Sequence, residues 1–375
     1  MNAMTLSCNN CAPARQTGLS LVELMISLTI GLVLLLGIST LIAQQNSTRS
    51  EMEKSSRQIE NGRYAIQLLH DDIQLAGFYG DYSPPTGVAT AIPVDPCDTT
   101  PANLGWNAAT PQVPVAIFGY ADATAPNFPT CLESYQPNTA VLVIRRTSTI
   151  SNPVAAAVAG TTTFLQVSNC AAIPVEAPFV LGTGGFNLRQ RGCAITTDPA
   201  VCTAIDPATG LANTWRGLSC LRPYIVRIYY ISSCSVCGTD SIPTLKMVEF
   251  VGGDRSVVPL VEGIENMQFD YGIDTTGART LNVDATCINV VGGGGDGAPD
   301  NYATPPAATD WPNVTAVRIN LLARNNDTTA SHNDTKTYNL GGAGTVGPFN
   351  DTYKRHAYSQ LVRAVNPSGR REPCI

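Results

Sequence analysis

Histidine is scarce in this chain of 375 residues: there are three, His70, His332 and His356, all remote from Cys234 and Cys237, the one close cysteine pair of the mature chain. That spacing does not favour a zinc site of close-set Cys and His ligands. The chain also lacks a G-x-S-x-G elbow, an H-E-x-x-H helix and a phosphate-cradling glycine motif, and no nucleophile and base form a readable constellation. Neither enzymatic activity nor a cofactor is expected. Basic residues are outnumbered 23 to 29, for a net charge of −6, a poor balance for a phosphate-binding surface, so nucleic acid is not expected as a partner. Charged residues make up only 14% of the chain while Gly reaches 32 and Pro 26, which describes a loop-rich, β-leaning extracytoplasmic domain better than a helical cytosolic one.

What the chain does have is one long apolar run. From Leu19 to Ala43 the only charge is Glu23, and as a helix this stretch would span about 37 Å, enough to cross a bilayer. A secretory signal would have a shorter apolar core followed by a small-residue cleavage site; here the small residue, Gly18, precedes the run, so the apolar helix should survive processing. A carboxylate in a spanning segment needs a partner. Cleavage between Gly18 and Leu19 would create an α-amine four residues from Glu23, able to neutralise it in the same or a neighbouring subunit. Gly18-Leu19-Ser20-Leu21-Val22-Glu23-Leu24 resembles the class III leader junction of type IV prepilins and type II secretion pseudopilins, with Leu19 in place of the commoner Phe. The resemblance implies a leader over residues 1–18, cleavage by a prepilin peptidase and N-methylation of Leu19.

Twelve cysteines are many for a reduced compartment. Cys8 and Cys11 fall in the leader. Ten remain, Cys97, Cys131, Cys170, Cys193, Cys202, Cys220, Cys234, Cys237, Cys287 and Cys374, an even set expected to be disulfide-bonded in a periplasm, with a connectivity that the sequence does not give.

Residues 19–43 form the expected transmembrane segment and 44–80 an amphipathic continuation of the same helix. Its apolar seam runs through Met52, Ile59, Ile66 and Ile73, with Leu69 and Ala76 beside it, and Gly77, Gly80, Pro84 and Pro85 stop it. Asp71 and Asp72 diverge by about 100° on a helix and read as a solvated face. Residues 81–375 form the globular domain, expected to be β-rich. Within 81–222, apolar runs at Val113–Tyr120, Ala140–Ile144, Phe164–Val167 and Pro178–Leu181 read as strands in long loops. YIVRIYYIS and Thr244–Phe250 read as a hairpin turning at Cys234-Ser-Val-Cys237. There a structural disulfide is favoured over a thiol-oxidoreductase motif, because no helix N-terminus follows the first Cys. Val261–Asp274 and Trp311–Arg324 read as β, the second with one well-buried face, and Tyr353–Val365 as a closing strand. Asp296 and Asp300 in a glycine-rich loop hint weakly at calcium; without EF-hand spacing, an unliganded loop is favoured.

GRYAIQLLHDDIQLAGFYG, the Val-Glu-Gly-Ile and Tyr-Gly-Ile-Asp stretch, the Trp-x-x-Val-x-x-Val-Arg strand and the closing strand resemble the PilW family of minor pilins. The resemblance covers both ends and leaves 81–222 unmatched. It implies an α+β fold, a long N-terminal helix on a disulfide-linked antiparallel domain. It implies insertion in the inner membrane with the domain in the periplasm, then incorporation in a pilus. The implied partners are prepilin peptidase, other minor pilins, the major pilin and the inner-membrane assembly platform. The alternatives are a type II secretion pseudopilin, an envelope thiol oxidoreductase and a surface ligand-binding adhesin.

Overall fold

The computed structural model describes Gly18 and residues 20–84, 89–93, 95–154, 162–168, 177–188, 218–251, 254–276, 280–281, 287–288 and 296–372. Two compact units divide the chain, residues 1–53 and 54–375, and helix α1, Leu21–Leu75, contributes to both. Ser20 opens α1, its carbonyl accepting from the N–H groups of Glu23 and Leu24. The helix ends where Gly77 takes a positive φ of 70°, a conformation that suits glycine.

Strands follow in short pieces at first. β1 (Ala89–Ala91) and β2 (Gln112–Pro114) pair in parallel. The larger sheet is antiparallel, built from β3 (Ile117–Tyr120), β4 (Val141–Thr147), β5 (Phe164–Val167), β6 (Phe179–Gly182), β7 (Leu221–Ser232), β8 (Thr244–Val251) and β9 (Asp254–Glu262). The chain then turns at Gly263, with φ 77°, into β10 (Ile264–Ile273), which belongs to a second sheet. After β11 (Thr280–Leu281) and β12 (Cys287–Ile288), which pair with each other, that sheet is completed by β13 (Asn301–Ala303), β14 (Val314–Arg324) and β17 (Arg355–Arg363) in the order β13-β10-β14-β17. β15 (Tyr338–Asn339) and β16 (Thr345–Val346) make a small hairpin before β17. A long helix with almost wholly antiparallel sheets is an α+β fold.

Side-chain alternation sorts the larger sheet into two cores. Leu142, Ile144, Tyr229, Ile231, Leu245 and Met247 join Ala65, Ile66, Leu69, Ile73 and Ala76 of α1 and the second sheet in one cluster. Their neighbours Val141, Val143, Ile228, Tyr230, Val248 and Phe250 point the other way, under loops that carry Tyr79, Leu104 and Trp106. The strands read within 81–222 are present, with Val113–Tyr120 divided between β2 and β3, and β7 and β8 pair as a hairpin.

Two expectations need correction. The buried stripe of α1 is Gln58, Gly62, Ala65, Ile66, Leu69, Asp72 and Ile73, whereas Met52 is 68% exposed and Ile59 46%. The wide branched seam gives way to a narrower one because β17 lies close enough at Gly62 to leave no room for a side chain: a Cβ there would fall 2.3 Å from the Tyr358 ring. β14 is buried on both faces, not one. Its Asn320 Nδ2 donates to Asp270 Oδ2, while Thr304 Oγ1 and the Gly342 N–H donate to Asp270 Oδ1, so the loops before and after cover the outer face with satisfied polar groups.

Candidate functional site: the N-terminal helix and its buried anchorage

The first half of α1 follows directly from composition, since nothing between Leu21 and Ile42 other than Glu23 resists burial in an apolar medium. Every large apolar side chain in that stretch is 51–75% exposed, and the mean hydropathy of its most apolar window is 2.5. Length and composition suffice to cross a membrane. Glu23 lies in the first turn, where a negative charge suits the positive end of the helix dipole. Among the described residues its carboxylate makes no ion pair and no hydrogen bond, whereas its backbone carbonyl accepts from Ser27 Oγ at 2.7 Å. Gly18 precedes the helix and is exposed; Leu19 lies outside the described residues.

The second half of α1 is fixed by a charge cluster, and here the solvated-face reading fails for one of its two residues. Asp71 is exposed, its side chain at 62%, but Asp72 is 3% exposed and faces the larger sheet. Asp72 Oδ1 accepts from Arg146 Nε at 2.9 Å and Arg227 Nη1 at 2.8 Å, and Oδ2 accepts from the Tyr229 hydroxyl at 3.0 Å. Arg227 also pairs with Glu249 at 2.6 Å, so two guanidiniums meet two carboxylates. Burial opposes the charge on Arg227, yet Asp72, Tyr229 and Glu249 outweigh it and raise its pKa. Burial, with Asp72 beside it, pushes the Tyr229 phenol well up. The sequence signal for this cluster was arginine embedded in strand-like apolar runs, VLVIRRT and YIVRIYYIS, which calls for a buried counter-charge.

The end of α1 is held from the far end of the chain. Asn366 Nδ2 donates to the carbonyl of Ala76 at 3.0 Å, Arg370 Nη2 to that of Gly77 at 3.4 Å, and the Gly77 N–H to the carbonyl of Arg145 at 2.9 Å. Unsatisfied carbonyls at a helix end carry partial negative charge, so an arginine there is favoured. Nearer the helix middle, Gln58 Nε2 donates to the carbonyls of Ala323 and Lys354. Beyond the helix, buried Arg355 donates to Glu265, Asp334 and Asp351 and lies 3.8 Å from the centroid of Phe349, a second knot that sequence reasoning missed.

Cys97 and Cys131 form a disulfide, as do Cys234 and Cys237, and Cys220 is also disulfide-bonded. Cys170, Cys193, Cys202, Cys374 and the side chain of Cys287 lie outside the described residues. Asp300 Oδ2 accepts from the N–H and Oγ1 of Thr275, tying its loop to the chain just after β10, and Asp296 Oδ1 accepts from the Ala298 N–H, closing a local turn. Among the described residues no group of three or more His, Cys, Asp or Glu is placed to hold a metal ion.

Two family models match. Residues 228–366 match Type IV Pilus-assembly protein W, and residues 13–39 match the Prokaryotic N-terminal methylation motif. The two matches together fit a PilW-family type IV pilin with a class III leader, and both families are structural or assembly components of pili. No curated protein and no solved structure matches the chain.

Proposed function

We propose that this type IV pilus-associated pilin is a minor subunit that primes pilus assembly, in a complex with other minor pilins that can occupy the filament tip. In this reading residues 1–18 are removed by prepilin peptidase between Gly18 and Leu19, and Leu19 becomes the N-methylated first residue. Residues 19–43 hold the precursor in the inner membrane, 44–80 complete the helix, and 81–375 fold in the periplasm before the subunit passes through the assembly platform into a filament with the major pilin. The observation that carries the reading is the exposed apolar half of α1 with Glu23 as its only charge. Such a surface is stable in lipid or against like helices, and its bare carboxylate calls for an ammonium.

Intact-mass measurement of the processed chain tests the first step; a product that retains residues 1–18 would remove the prepilin reading. Glu23→Ala relieves an insertion penalty of at most about 3 kcal/mol, so membrane levels should hold while piliation falls. Wild-type pilus numbers in that variant would remove the charge-pair role. Deleting the gene should abolish twitching and spare exoprotein secretion, and the reverse would assign the subunit to type II secretion.

A further inference from the structure

The Cys234–Cys237 bridge closes a turn that other contacts also hold. It closes a three-residue separation inside a hairpin whose ladder already runs to the Ser232 and Thr244 pair. The turn itself is tied without sulfur: the Asp240 carboxylate accepts from the N–H groups of Ser235 and Val236, both at 2.8 Å, and of Ile242 at 3.1 Å. Cys97–Cys131 is different, spanning 34 residues of largely irregular chain. A bridge whose opening leaves the backbone held is free to open.

Its surroundings are those of a reactive pair. Cys237 is exposed and Cys234 is 6% exposed. Lys246, 4% exposed on β8, donates from Nζ to Cys237 Sγ at 3.3 Å, and among the described residues this is its one hydrogen bond. A neutral disulfide sulfur is a weak acceptor for a buried ammonium, whereas a thiolate is a full counter-charge. Ser232 Oγ lies 3.6 Å from Cys234 Sγ and 3.8 Å from Cys237 Sγ. Of the other charges at the turn, Asp240 is hydrogen-bonded by the backbone and also feels the charge of Lys246, while Glu262 is engaged by Ser235 and Asn326.

We infer that Cys234 and Cys237 form a thiol–disulfide exchange site for dithiols of other envelope proteins, with Cys237 as the accessible sulfur and Lys246 as the group that stabilises its thiolate. An incoming thiolate attacks Cys237 Sγ, the Cys234–Cys237 bond breaks, and the electron pair leaves on Cys234 Sγ, which takes a proton from solvent. The second thiolate of the partner attacks its own sulfur in the mixed disulfide. A disulfide forms on the partner, and Cys237 leaves as a thiolate against Lys246. Two electrons pass from the dithiol to the pair, and the reverse sequence oxidises the pair again. This goes beyond the filament role and does not depend on it.

The test uses the full chain in detergent. Equilibration with graded reduced and oxidised glutathione, followed by alkylation and mass mapping, should open Cys234–Cys237 at a glutathione ratio at least tenfold less reducing than Cys97–Cys131, with circular dichroism unchanged. Opening of both bridges together, or only with loss of the fold, would overturn the proposal. In Cys234→Ser the free Cys237 should alkylate at pH 7 about tenfold faster than an ordinary exposed thiol, and Lys246→Met added to it should erase that excess. Lys246→Arg tests the charge if the Met variant misfolds and should retain the excess. An alkylation rate at pH 7 indistinguishable from an ordinary thiol in Cys234→Ser would equally overturn the assignment.

Discussion

Asp72 and Asp71 are neighbours with opposite fates, and a pair of substitutions separates them. Among the described residues, Asp72→Asn leaves Arg146 buried without a counter-charge while Arg227 keeps only Glu249, and breaking a buried ion pair from one side costs about 3–5 kcal/mol. Asp71→Asn, on the exposed side of the same turn, should change stability by less than about 0.5 kcal/mol. Denaturant unfolding of the two variants in detergent measures both; equal effects would mean that the cluster does not hold the helix. The sequence placed these residues on a helix correctly and misjudged one of them. Adjacent positions diverge on a helix, but only the partner surface decides which of the two is covered. That surface comes from arginines 74 and 155 positions away.

Among the elements, α1 and β17 meet where glycine is required by space, not by backbone angle. Gly62→Ala should gain helix propensity of just under about 1 kcal/mol and still destabilise by about 1–3 kcal/mol, because its Cβ would lie within 3 Å of three atoms of the Tyr358 ring. Tyr358→Leu should relieve the clash, so a double-mutant cycle on unfolding free energies is expected to show coupling above about 0.5 kcal/mol. Gly263 is held by both criteria, a φ of 77° and an Arg324 carbonyl 2.7 Å from any Cβ. Gly263→Ala should therefore lose more than about 1 kcal/mol, read as a lower unfolding midpoint. Most strands of both sheets were legible because their apolar positions alternate, whereas β9 and β13, whose positions are mostly exposed, were not read as strands. The division of Val261–Asp274 at Gly263 between two sheets was not read, although the apolar spacing slips there to three, from Val261 to Ile264 to Met267, before alternation resumes through Phe269, Tyr271 and Ile273.

At the scale of the whole molecule, titration reports how much of the interior is shut. Burial pushes the Tyr79 phenol up to about 12 and those of Tyr224 and Tyr271 higher still. A raised folded pKa contributes stability in full below the unfolded value near 10 and loses it as pH rises toward the folded value. Unfolding free energy should fall by about 1.4 kcal/mol per pH unit for each such tyrosine between about pH 10 and 12, and the phenolate absorbance of these three should appear only with unfolding, after that of exposed tyrosines. At the acid end the sign reverses. The Arg355 guanidinium holds the Asp351 carboxyl below its ordinary value, so its contribution is present above about pH 4 and fades below it. Asp351→Asn should accordingly flatten the acid limb of the stability profile.

The clamp by Asn366 and Arg370 joins the end of α1 to partners 290 and 293 positions away, and β17 covers the edge of β14. A ribosome makes α1 long before those partners, so its lower turns lack them until residue 370 has been added. A chain truncated before β17 would keep an uncovered β14 edge and a loose helix end, and limited proteolysis should cut it faster than the full chain.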